Sequence, residues 1–216
     1  ETKVEAKTYT QLRDDSERFA AVLSELSERG KHIAVIGATS YAWITAYYGI
    51  TSSGSVAVPL DANLPSEDLC ELIDRADVTT LVYDGTKKEA ALKASKQCSG
   101  LKHLIAMEPE SRVDNALSMW ELIAGAAPDA DCHPKPEDLA TIMFTSGTTG
   151  KSKGVMLTHR NLAENATALD MGYEPGMVVM SVLPIHHAYC LSMDILKGTS
   201  IGAVICINDS LLRVAQ

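Results

Sequence analysis

The chain has 216 residues, 46% of them hydrophobic and 22% charged, an ordinary composition for a globular protein with a real core. Nineteen Lys and Arg against 28 Asp and Glu give a net charge of −9, which argues against nucleic acid or an anionic membrane surface as partner. No apolar run approaches the roughly 18 residues that span a bilayer.

The start, Glu1-Thr2-Lys3, has no apolar leader and no Met, and it reads as the edge of an excised piece. Thr10 to Arg29 carries Leu12, Phe19, Val22, Leu23 and Leu26 near helical spacing and stops at Gly30. Asp14, Asp15, Glu17 and Glu28 read as its solvated face. His32 to Gly37 is a short apolar run and reads as a buried strand; Thr39 to Ser53 reads as a helix packed on it. Ser55 to Leu60 is a second strand, Pro65 to Ala76 a helix, Thr79 to Tyr83 a third strand. Thr86 to Cys98 is a helix and Lys102 to Met107 a fourth strand. After a proline-marked stretch with a short helix near Leu117 to Ala124, Leu139 to Phe144 is again a buried strand. Thr158 caps a helix running to Asp170, and Val178 to Leu183 and Ile201 to Ile207 are further strands. Leu211 to Gln216 reads as the opening of another helix, cut short.

Near-continuous apolar strands alternating with helices predict an α/β fold, a parallel sheet layered with helices on both faces. Five cysteines, Cys70, Cys98, Cys132, Cys190 and Cys206, are scattered without a CxxC pair. They read as small buried hydrophobes in a reducing, cytoplasmic setting.

The most informative stretch is Thr145-Ser146-Gly147-Thr148-Thr149-Gly150-Lys151-Ser152-Lys153-Gly154. Glycines let backbone N–H groups turn toward a ligand, hydroxyls add donors, and two lysines add charge. Such a loop leaving a buried strand is a candidate phosphate cradle. It is not a Walker A loop: Gly150-Lys151-Ser152 supplies the end of that motif, but Thr145 stands where its first glycine belongs. Val155-Met156-Leu157 reads as a strand, so no helix N-terminus is expected behind the loop.

This loop resembles the signature loop of the adenylate-forming (AMP-binding) enzymes: acyl-CoA synthetases, luciferases and peptide-synthetase adenylation domains. Three further segments resemble that family in the same order: Thr8-Tyr9-Thr10-Gln11-Leu12, Tyr48-Gly49-Ile50 through Val58-Pro59-Leu60-Asp61, and Leu183-Pro184-Ile185-His186-His187-Ala188-Tyr189. The resemblance runs over residues 1–216 and implies the N-terminal part of an AMP-binding domain, with the later part of the fold absent. It implies a ligase, most like a long-chain fatty acid–CoA ligase, that joins a carboxylic acid to ATP and passes the acyl-adenylate to coenzyme A.

By that resemblance residues 145–154 bind the β- and γ-phosphates, Lys151 and Lys153 neutralise charge as pyrophosphate leaves, and Thr145 helps hold Mg²⁺. His187 would orient the acid or donate to its developing charge, and Tyr189 would wall the acid pocket. The plain alternative is that His186 and His187 end a strand, where adjacent side chains point apart and a zinc site is disfavoured. His32, His103, His133 and His159 fit no constellation. Segments that hold ribose, and a late lysine that assists adenylation, have no counterpart in these residues, so this chain alone is expected to bind nucleotide weakly and not to turn over. Other classes stay open: a non-catalytic phosphate-binding module, half of a split enzyme or homodimer joined through the uncovered sheet surface, or an adenylation domain for an aryl or amino acid.

Overall fold

In a computed structural model, the structure describes residues 4–26, 29–128, 133–145, 152–168 and 172–208. Seven strands form one sheet in the order β5-β4-β3-β1-β2-β6-β7. These are β1 (His32–Ile36), β2 (Val56–Leu60), β3 (Val78–Tyr83), β4 (His103–Ala106), β5 (Leu117–Ser118), β6 (Leu139–Thr145) and β7 (Lys153–Thr158). All neighbours are parallel except the last pair: β7 returns antiparallel to β6. The expected parallel α/β layer is therefore present, with an antiparallel hairpin at one edge. Strands β8 (Val178–Ser181) and β9 (Val204–Ile207) form a separate parallel pair.

Helices cover both faces. On one lie α1 (Tyr9–Leu26), α2 (Tyr41–Ser52) and α5 (Met119–Gly125); on the other, α3 (Ser66–Arg75) and α4 (Lys88–Gln97). The period of two along β1 sorts its side chains. Ile33 and Val35 join Phe19, Leu23 and Trp43 on the α1–α2 side, while Ala34 and Ile36 join Leu69 and Ile73 on the α3 side. Every one of these is nearly or wholly inaccessible, the pattern of a strand sandwiched between helix layers.

Local chemistry explains the element ends. Thr8 and Gln11 cap α1 reciprocally: the Gln11 N–H donates to Thr8 Oγ1 (3.2 Å) and the Thr8 N–H to Gln11 Oε1 (2.8 Å). Ser40 caps α2 by accepting from the Trp43 N–H at 3.1 Å. Gly49 lets α1 and α2 close on each other, since a Cβ there would lie 2.7 Å from the Phe19 ring. The expected cap at Thr158 is present: its hydroxyl accepts from the Asn161 N–H at 3.2 Å at the start of α6 (His159–Ala168).

Some expectations need correction. The strand expected to reach Leu183 ends at Ser181, and a turn carries the chain from there. The short helix near Leu117 is preceded by β5. Cys190–Leu196 is a π-helical segment that continues into α7 (Lys197–Ser200), so β8, this helix and β9 make a parallel crossover of ordinary length. Asp14, Asp15 and Glu17 are half-buried, not simply solvated. Asp15 accepts from the Tyr41 hydroxyl at 2.7 Å, and Asp14 pairs with Arg18. Cys98 and Cys190 are buried, with thiols pushed up by burial to about 12 and about 11. Cys70 is partly accessible and Cys206 is exposed, against the expectation of burial. Cys132, Glu28 and the stretch Leu211 to Gln216 lie outside the described residues.

Candidate functional site

Open α/β sheets present ligand chemistry at the carboxyl ends of parallel strands, and the sequence motifs converge on that edge. Ala57 on β2 pairs with Thr141 on β6. Four residues further along each segment stand Asp61 and Thr145. The turn with the two histidines follows the carboxyl end of β8.

Thr145 ends β6 with an exposed side chain, opposite Lys153 at the start of β7. Phe144 pairs with Gly154 in the next step. The two described ends of the motif thus pair across an antiparallel stem on the edge of the sheet, and they offer a hydroxyl and an ammonium directly across from each other. No helix N-terminus follows, as the strand pattern of Val155 to Leu157 requires. Gly154 has a packing reason: a Cβ there would sit 3.0 Å from Ile142 Cγ2. Ser146, Gly147, Thr148, Thr149, Gly150 and Lys151 lie outside the described residues.

Arg75, the last residue of α3, braces the stem. Its Nη2 donates to the Ser152 carbonyl at 2.7 Å. Its guanidinium lies 5.9 Å from the Phe144 ring centre, and Glu71 one turn earlier holds Nη1 at 3.3 Å. No local pattern in the sequence marks this residue, because its partner stands 77 positions later.

The second cluster corrects the alternative that the two histidines end a strand. His186 and His187 do not end a strand and do not point apart. They occupy a turn closed by the His187 N–H donating to the Pro184 carbonyl (3.0 Å), and their rings lie 4.2 Å apart. Ile185 anchors the turn in the core. Beneath it, Cys190 Sγ donates to the Leu183 carbonyl (3.2 Å) and lies 3.3 Å from Ser181 Oγ. His187 and Tyr189 are exposed. His186 keeps only 11% of its side chain accessible, and its Nε2 lies 3.6 Å from Asp61 Oδ1. Burial pulls the His186 pKa below the usual imidazole value; Asp61 opposes that and His187 adds to it. Among the described residues no group of three His, Cys, Asp or Glu side chains could hold a metal ion.

Asp84, just past β3, is a further structural residue that the motifs do not mark. Its buried carboxylate accepts from the Ala38 N–H (2.7 Å), the Thr86 N–H (3.0 Å) and the Thr86 hydroxyl (2.6 Å). It therefore ties the loop after β1 to the loop after β3. Gly37 makes room for it: a Cβ there would lie 2.6 Å from Asp84 Cγ. His159 is partly buried, and burial lowers its pKa as well. His32 Nδ1 sits 2.5 Å from the Ala76 carbonyl at the base of the sheet, away from this edge.

The family model described as AMP-binding enzyme matches residues 2–215. The chain is similar to long-chain-fatty-acid–CoA ligase 5 of Mus musculus, 30% identical over 205 residues, which cover 84% of this chain and 30% of that protein. It is similar to the D-alanine–D-alanyl carrier protein ligase of Lacticaseibacillus rhamnosus, 29% identical, over 92% of this chain and 36% of that protein. The crystal structure of ATP-bound MatB from Rhodopseudomonas palustris superimposes with a TM-score of 0.81 at 27% identity, covering 93% of this chain and 39% of that one. The chain thus spans about a third of the length of these relatives. No helix among the described residues is long and apolar enough to cross a membrane. With the family model matched along nearly its whole length, the chain belongs to the AMP-binding enzyme family.

Proposed function

We propose that this chain is the phosphate-gripping part of an ATP-dependent ligase that activates a carboxylic acid as its adenylate and passes the acyl group to a thiol, coenzyme A. The observation that carries the reading is the Thr145–Gly154 motif on a hairpin stem at the carboxyl edge of the sheet. In the first half-reaction a carboxylate oxygen bonds to the α-phosphorus and the bond to the pyrophosphate oxygen breaks. The thiolate then attacks the acyl carbonyl and AMP leaves. The obstacle in the first step is an anion approaching a polyanion, so neutralisation and positioning supply most of the acceleration.

Lys153 stands at the stem with an exposed ammonium to take up charge on the departing pyrophosphate, and Lys151 shares that role. The exposed hydroxyl of Thr145 is a hard oxygen, of the kind Mg²⁺ takes when phosphates supply most of its shell; the ion would draw charge off the phosphates. His187 meets the acid, and Tyr189 lines its path. ATP, coenzyme A and reduced thiols suit a cytoplasmic setting.

Among acid classes, an aliphatic acid fits best. Leu183 and Tyr189 are both exposed beside His187, 38% and 59% accessible, and offer apolar surface. An amino acid would need a carboxylate for its ammonium, and Asp61 already accepts from the Asn63 N–H at 2.8 Å and faces His186 Nε2 at 3.6 Å.

Calorimetric titration of this chain with Mg·ATP and with pyrophosphate tests the phosphate role. Lys153→Ala is expected to weaken both by about tenfold, since a hydrogen bond to a charged group is worth about 1.5–3 kcal/mol. Wild-type chain that binds neither ligand would overturn the reading.

A further inference from the structure

Asp61 and His186 stand outside the roles assigned so far, although both lie against the acid-facing turn. His186 is nearly enclosed, and its Nε2 has no hydrogen-bond partner. The nearest charge is Asp61 Oδ1 at 3.6 Å. The other titratable group against it is His187, whose ring centre is 4.2 Å away. Asp61 is itself fixed: its Oδ1 accepts from the Asn63 N–H, and its carbonyl accepts from the Leu64 N–H at 3.2 Å. The exposed ring, His187, therefore rests on a buried ring, which faces a carboxylate anchored at the end of β2.

We propose that Asp61 and His186 are positioning residues for His187, the carboxylate holding the buried ring and the buried ring setting how His187 presents its imidazole to the acid. The inference rests on the reading that His187 meets the acid. Of the two rings, His186 is enclosed and His187 is exposed, so His187 is the one that can meet a ligand. The Asp61 carboxylate faces the enclosed Nε2 at 3.6 Å, beyond hydrogen-bond reach, so it orients the buried ring through its charge. The contact also joins the seven-stranded sheet, through β2, to the turn that follows β8.

The test is NMR of this chain with labelled histidines, titrated with acid and base and then with octanoate. Asp61→Asn keeps an acceptor for the Asn63 N–H and removes only the charge. It should move the His186 titration midpoint down, because the carboxylate favours the protonated ring, and it should displace the His187 ring signals. Octanoate should shift His187 signals in the wild type and should bind several-fold more weakly to Asp61→Asn and to His186→Gln, while the affinity for Mg·ATP stays unchanged. A His186 midpoint indifferent to Asp61→Asn would overturn the pairing. Displaced His186 signals with unmoved His187 signals would overturn the positioning role. Wild-type His187 signals unmoved by octanoate would instead remove the acid reading, and the positioning role with it, even where the Asp61–His186 pair itself stands.

Discussion

In β1, Ile33, Ala34, Val35 and Ile36 alternate between two covered faces and none is accessible beyond 1%. In the two-stranded sheet, Val178 and Val204 are directly paired and are 64% and 52% accessible. The residue types are the same. What differs is cover: β1 lies between α1 and α2 on one side and α3 on the other, whereas β8 and β9 leave Val178 and Val204 bare. β7 resembles β8 and β9 in this respect, with Val155 and Met156 exposed along an edge. Folding energy is concentrated in the first region, and the groups suited to phosphate and acid stand at the margins of the second. Core strands fix where those groups sit, and the margin leaves them accessible.

That contrast predicts a graded response to mutation, with Trp43→Ala the most damaging change. Trp43 is wholly buried and stacks on Tyr47 with ring centres 5.6 Å apart and planes 8° from parallel. Truncating a buried aromatic costs about 3–5 kcal/mol, read as a lower midpoint in urea denaturation. Asp84→Ala should come next, at about 1.5–3 kcal/mol, because it takes away the charged acceptor that now satisfies the Ala38 and Thr86 N–H groups. Asp84→Asn should restore only part. Its amide oxygen can serve Thr86, but its NH₂ then faces the Ala38 N–H, a donor against a donor. If Asp84→Ala proves neutral, the loops after β1 and β3 are held by something other than this carboxylate.

The same contrast explains which features are legible in the sequence. The strand at His32–Ile36 is readable because burial on both faces writes a continuous apolar run between Lys31 and Gly37. The cap at Thr158 is local side-chain chemistry, and local chemistry leaves local signals. β7 is readable as a strand, but its direction is not, since antiparallel pairing depends on the hairpin as a whole. The apolar run leading to the histidines extends to Leu183. The strand nevertheless stops at Ser181 because the chain turns at Pro184, where no N–H is available to continue a ladder. Leu191, Met193 and Ile195 are buried on a π-helical segment, a rare winding whose spacing fits neither a strand nor an α-helix template. Asp61 with His186, and Arg75 with Ser152, are long-range pairs with no periodic trace.

Arg75→Ala should fall between core and margin. The guanidinium is partly solvated, so its loss should lower global stability by no more than about 1 kcal/mol. Its local effect should be larger. The Ser152 carbonyl and the Phe144 ring both lose their partner, so the stem that carries Lys153 should fray. Amide exchange at Lys153 and Gly154 should accelerate, and Mg·ATP should bind several-fold more weakly. Arg75→Lys keeps one donor for the carbonyl and should recover part of the affinity. Unchanged exchange at the stem would mean that the β6 ladder alone holds the hairpin.

Met156→Thr should have the smallest effect. The residue is 65% accessible on an edge strand, where it pairs with Ile142 on β6. Threonine has high strand propensity and adds a hydroxyl to a surface already in water. Surface changes of this kind fall within about 0.5 kcal/mol, so the urea midpoint should not move measurably. A loss near ~2 kcal/mol, the range of a buried side chain, would be informative, because an exposed methionine cannot cost that much. It would mean that the bare face of β7 is covered in solution by another molecule, and the loss should then shrink as the protein is diluted. The contrast between core and margin would be redrawn at β7 and left intact at β1.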